Sequence, residues 1–98
     1  MKLIKFEASW CSQCKQQDEV FKSLLQDYPN LEIQHIDVEK EDTPYIDEYN
    51  IMSLPTTILQ HDNTLIAKFV GLTDKKAIVK KIKTIENDFS KGPVFDVS

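Results

Sequence analysis

Cys11 and Cys14 are the only two cysteines in the chain, and they sit two residues apart in the string Trp10-Cys11-Ser12-Gln13-Cys14-Lys15. A dithiol at that spacing can close into a small disulfide ring and reopen to two thiols. The pair follows a short apolar run and opens a helical pattern. A helix start lowers a cysteine pKa from about 8.5 toward roughly 3.5–7.5, through backbone N–H groups and the helix dipole. Cys11, nearest the positive end and expected to be the more exposed sulfur, is the candidate nucleophile. Cys14, about one helical turn on, is the candidate resolving thiol. The chemistry implied is thiol–disulfide exchange. A structural zinc site would need about four ligands, and beyond these two thiols only His35 and His61 are offered, far apart in sequence. No metal is expected.

The surrounding elements can be read from periodicity. Leu3 to Ala8 alternates, with Ile4, Phe6 and Ala8 on one side and Leu3, Lys5 and Glu7 on the other, which predicts a strand. From Cys14 to Tyr28, Phe21, Leu24, Leu25 and Tyr28 recur at helical steps until Pro29-Asn30 ends the helix. Leu31 to Val38 predicts a second strand, completing a βαβ crossover. Thr43-Pro44 reads as an N-cap with proline at the first helical position, giving a short helix through Tyr49 that Asn50 can end. Thr56 to Gln60 and Leu65 to Val70 predict antiparallel strands joined through His61-Asp62-Asn63-Thr64. Thr73 and Asp74 can cap a last helix with Ile78, Ile82, Ile85 and Phe89 on one face. Lys75, Lys76, Lys80, Lys81 and Lys83 on that helix read as a solvated face. Residues 1–89 are expected to form one domain and residues 90–98 a tail.

The order βαβ-α-ββα predicts an α/β fold, a mixed four-stranded sheet flanked by helices. That order, together with Trp10-Cys11-Ser12-Gln13-Cys14-Lys15 and Ser53-Leu54-Pro55-Thr56-Thr57, resembles the thioredoxin superfamily over roughly residues 2–89. The likeness is to a minimal thioredoxin fold without the extra N-terminal strand and helix of longer members, near glutaredoxins in length but thioredoxin-like in Trp10. The resemblance implies a thiol-disulfide oxidoreductase that reduces protein disulfides. Such an enzyme would be re-reduced by a thioredoxin-reductase-like donor or glutathione and would need no bound cofactor. A disulfide oxidase or isomerase, or a binding module using the same groove, are the alternatives.

The resemblance also bears on individual residues. Trp10 reads either as packing on the first helix or as a flat apolar surface beside the cysteines, and the likeness favours the surface. Local sequence alone predicts a trans bond before Pro55; the likeness implies a cis bond, with Pro55 against the cysteine pair and the Leu54 backbone pairing with substrate. Gly71 reads as a turn or helix-entry glycine, and the likeness puts it near a substrate groove. Two positions depart from the pattern. Ser12-Gln13 replaces a glycine–proline pair, and Lys5 stands where similar proteins carry a buried aspartate six positions before the first cysteine. A lysine near Cys14 would favour its thiolate, whereas Glu7, on the same side of the strand, reads either as solvent-exposed or as an acid acting through a water in place of that aspartate.

Composition limits the partners. The chain has 98 residues, 41% hydrophobic and 29% charged, with a formal charge of −4. Ninety-eight residues suffice for one core and one site. The acidic balance opposes binding to phosphate backbones, so nucleic acid is not an expected partner. No run approaches the roughly 18 apolar residues that span a bilayer, and Lys2, Lys5 and Glu7 interrupt what would be a signal-peptide core. A cytoplasmic monomer without a membrane partner is expected.

Overall fold

The computed structural model describes residues 1–90. Four strands form one sheet in the order β2-β1-β3-β4, built from β1 (Lys2–Glu7), β2 (Glu32–Asp37), β3 (Thr56–His61) and β4 (Thr64–Val70). The helices are α1 (Ser12–Asp27), α2 (Tyr45–Glu48) and α3 (Lys75–Ser90). β1 and β2 run parallel across the α1 connection, while β3 pairs antiparallel with both β1 and β4. The expected mixed sheet is therefore present.

β1 lies inside the sheet, and its alternation sends side chains into two cores. Leu3 joins Phe21 and Leu24 of α1 with Ile78, Ile82 and Ile85 of α3 on one face. Ile4 and Phe6 join Ile36 and Ile58 on the other, under Val38, Tyr45, Ile46, Tyr49, Ile51 and Leu54. Each fully buried aliphatic side chain contributes about 1.5–3 kcal/mol relative to exposure. The three isoleucines of α3 thus hold that helix on the sheet, as their spacing predicts; the side chain of Phe89 and residues 91–98 lie outside the described residues.

Local chemistry explains most of the boundaries. Asp62 and Asn63 have φ of 52° and 63°, the left-handed geometry of a two-residue hairpin turn that asparagine and aspartate tolerate. Asp74 Oδ1 accepts the Ala77 N–H at 2.9 Å and starts α3. The short helix differs from expectation: Pro44 is the cap residue itself, and α2 runs only from Tyr45 to Glu48. The Thr43 hydroxyl still accepts the Tyr45 N–H at 3.3 Å, so the capping function stays with Thr43. Asn50, at φ 54°, turns the chain out of the helix.

Candidate active site

Cys11 is the N-cap of α1, with extended backbone, and its Sγ accepts the N–H of Cys14 at 3.1 Å. An acceptor at this place is favoured most when it carries negative charge, because the unsatisfied N–H groups of the first turn point toward it. Cys11 and Cys14 are joined as a disulfide with Cα atoms 5.3 Å apart. Cys11 is the more exposed of the two, but only slightly, at 6% against 2%. Both cysteines are thus largely covered.

Trp10 is 68% exposed, so packing on α1 is not its role. It lines an open apolar groove with Val38, Ile46, Ile51, Met52, Ser53 and Leu54. Met52, at 83% exposure, stands out on the same surface. Leu54-Pro55 is a cis peptide, in keeping with the resemblance and against the local reading. The Pro55 carbonyl accepts the N–H of Gly71 at 2.7 Å. Gly71 has φ +82°, and a Cβ there would meet nothing within 4 Å. Its glycine is thus required by backbone conformation and not by space.

Two residues that the motif reading passed over complete the neighbourhood. Gln17 is fully buried; its Nε2 donates to the Thr73 carbonyl at 2.8 Å and its Oε1 accepts the Thr73 N–H at 2.8 Å. This pair of bonds ties the Gly71–Thr73 loop to the first turns of α1. A glutamine at helical spacing from Cys14 and Phe21, on an otherwise buried face, is the signal that could have revealed it.

Asp18 is the second. Lys5 is only 1% exposed, which reverses the usual surface placement of lysine. Its Nζ lies 2.6 Å from Glu7 Oε1 and 2.7 Å from Asp18 Oδ1. His35 Nδ1, on the neighbouring strand, is 3.0 Å from the same Glu7 oxygen. Glu7 is consequently half-buried and paired, contrary to the exposed reading. Burial pushes its carboxyl up, but the hydrogen bonds and charges of Lys5 and His35 outweigh burial and hold it below the ordinary value. Glu7, Asp18 and His35 bring ligand atoms within 4.8 Å of one another, a spacing that could suit a metal. The two carboxylates among them already share the Lys5 ammonium. With two carboxylates on one ammonium, this cluster offers Cys14 no net positive field, so the expected help to its thiolate from Lys5 is cancelled.

The likeness extends to sequence and structure comparisons. The family model described as Thioredoxin matches residues 1–84. The chain belongs to the thioredoxin family. Thioredoxin of Chlamydia trachomatis is 35% identical over 80 residues, covering 82% of this chain and 78% of that protein. The solved structure of mitochondrial thioredoxin 3 from Saccharomyces cerevisiae superposes with a TM-score of 0.72 at 32% identity, over 85% of this chain and 76% of the other. Thioredoxin 1 from Thermosipho africanus gives a TM-score of 0.78 over 93% of this chain and all of that one, at 21% identity, which speaks for the fold alone. With a closed Cys-x-x-Cys pair at a helix start, this thioredoxin-family protein is a thiol-disulfide oxidoreductase. Thioredoxins act on disulfides without a bound cofactor, and no helix among the described residues is long and apolar enough to cross a membrane.

Proposed function

We infer that the protein reduces disulfides in other proteins, with Cys11 as nucleophile and Cys14 as resolving thiol. The observation that supports this reading is the capping bond from the Cys14 N–H to Cys11 Sγ, at a helix start that would favour a thiolate on Cys11. The Cys11 thiolate attacks one sulfur of a substrate disulfide, forming a mixed disulfide and releasing the other sulfur as a thiolate. Cys14 then attacks Cys11, closes the Cys11–Cys14 disulfide and releases the first sulfur; two electrons pass from the pair to the substrate. The dithiol is its own carrier, so the reaction uses no cofactor and no metal.

Trp10, Leu54, Pro55 and Gly71 form the substrate side of this reading. The exposed Trp10 ring and the apolar groove beside it suit an extended segment flanking the target disulfide, with Leu54 offering backbone hydrogen bonds. Recycling would come from a thioredoxin-reductase-like donor or glutathione, and a cytoplasmic, monomeric protein with residues 1–89 as the redox unit fits this role. The acidic balance gives no support to nucleic-acid binding.

Insulin provides a defined protein-disulfide substrate for the test. Cys14→Ser should accumulate a mixed disulfide with insulin through Cys11, released by dithiothreitol, and Cys11→Ser should be inactive. Retained turnover in Cys11→Ser would sink the assignment. Equal insulin binding by the double Cys→Ser variant, without turnover in the wild type, would indicate a binding module instead.

A further inference from the structure

Cys14 is 2% exposed, and burial of a thiol in protein disfavours its thiolate. Its own backbone N–H is directed to Cys11, so the helix start that serves Cys11 does not serve Cys14 in the same way. To attack the mixed disulfide, Cys14 must nevertheless lose a proton. An open cavity of about 300 Å³ brings its side chain together with Lys5, Glu7, Asp18 and Asp37. This polar space is large enough for water, which occupies sites offering two or more polar partners.

Three carboxylates in that cavity are possible acceptors, and their contacts separate them. Glu7 shares Oε1 between Lys5 and His35 and is held below its ordinary value, which makes it a poor base. Asp37, the last residue of β2, accepts the Glu39 N–H on its Oδ1 at 2.9 Å and is engaged in holding the turn that follows. Asp18 lies four residues after Cys14 on α1, the spacing that places two side chains on one helix face. Lys5 pins its Oδ1 at 2.7 Å, and its side chain is 41% exposed, open to exchange with solvent.

Building on the assignment of Cys14 as resolving thiol, we propose that Asp18 receives the Cys14 proton through water in the cavity, held in position by Lys5. The proton leaves Cys14 Sγ for water as that water gives one to the Asp18 carboxylate. The Cys14 thiolate forms its bond to Cys11 Sγ, the bond from Cys11 to substrate sulfur breaks, and that sulfur departs with the electron pair. Asp18 then returns its proton to solvent. The charged and titratable groups around Asp18 are Lys5 and Glu7 of β1, His35 and Asp37 of β2, and Lys15 and Lys22 of its own helix.

The test is single-turnover oxidation of the reduced protein by insulin, quenched with acid and alkylated, with mixed and internal disulfides counted by mass spectrometry across pH. Asp18→Asn should slow resolution on the order of a hundredfold or more, as loss of a proton acceptor does. It should also accumulate the mixed disulfide and move the pH profile upward. Adduct formation in the Cys14→Ser background should keep its rate with or without Asp18→Asn, and Asp18→Glu should restore part of the resolution rate. An unchanged resolution rate and pH profile in Asp18→Asn would overturn the proposal, as would equal slowing of both steps. If Asp18→Asn does not fold, Asp18→Ala carries the test, and an unchanged resolution rate and pH profile in that variant overturns the proposal. Failure of Cys14→Ser to trap insulin would instead remove the assignment on which the proposal stands.

Discussion

Lys5 is the residue at which burial and charge are most directly opposed. An ammonium without partners in that position would be expelled or neutralised; here the two carboxylates of Glu7 and Asp18 compensate it. Lys5→Met keeps the volume but leaves Glu7 and Asp18 with like charges. Both survivors retain access to water, so the expected cost is about 1–3 kcal/mol, below the roughly 3–5 kcal/mol of a fully buried pair. The sign of the pH effect follows from Glu7. Its folded pKa lies below the ordinary 4.5, so its stabilising contribution is fully present above that value and is lost as pH falls through the lower, folded value. The gap between wild type and Lys5→Met in denaturant midpoints should therefore narrow on acidification from neutral pH to below 4.5; a constant gap would count against the pairing. The cysteines were readable from type and spacing alone. The burial of Lys5 was not, because a six-residue strand does not reveal that it lies inside a sheet with both faces covered.

At the scale of elements, the contact that positions the site is the two-bond clamp of Gln17 on Thr73. It fixes the loop that carries Gly71, whose N–H holds the Pro55 carbonyl, so α1, the loop and the start of β3 form one connected support. Gln17→Leu removes both bonds and leaves the Thr73 N–H and carbonyl to find other partners. A loss of about 2–4 kcal/mol is expected from two unsatisfied groups, read as a lower urea midpoint, together with slower insulin reduction from a loosened groove. Unchanged stability would mean that water replaces the clamp. Periodicity located all seven elements because each has either a buried stripe or a turn residue at its end. It misplaced the start of α2, since four residues form barely one turn and proline can serve as cap or first helical residue. It also missed Gln17, because a polar residue within an apolar face gives no periodic signal and its partner lies 56 residues away.

Across the whole molecule, two helices bury one face of the sheet while the other face receives α2 and the loop that ends at cis-Pro55. The disulfide, Trp10 and the apolar groove therefore converge at one end, and α3 with its exposed lysines lies on the first face, with Lys75 tied to Asp27 at 2.7 Å. Residue patterns gave the layers, whereas the convergence of Trp10 with Ile46 and residues 51–54 depends on tertiary packing that the sequence does not display; the family likeness supplied only an apolar surface at Trp10 and Pro55 against the cysteine pair. The electrostatics favour a reducing pair. Ser12-Gln13 puts neither a cation nor an imidazole between the cysteines, and Lys5 is compensated by Glu7 and Asp18. Thiolate stabilisation thus rests chiefly on the helix start, without the additional contributions that make a disulfide strongly oxidising. The direct measurement is the reduction potential of Cys11–Cys14, taken by equilibration against a glutathione series with both redox forms quantified. A value near about −270 mV is expected for a protein-disulfide reductase, and a value of about −180 mV or higher would contradict it and mark an isomerase or oxidase.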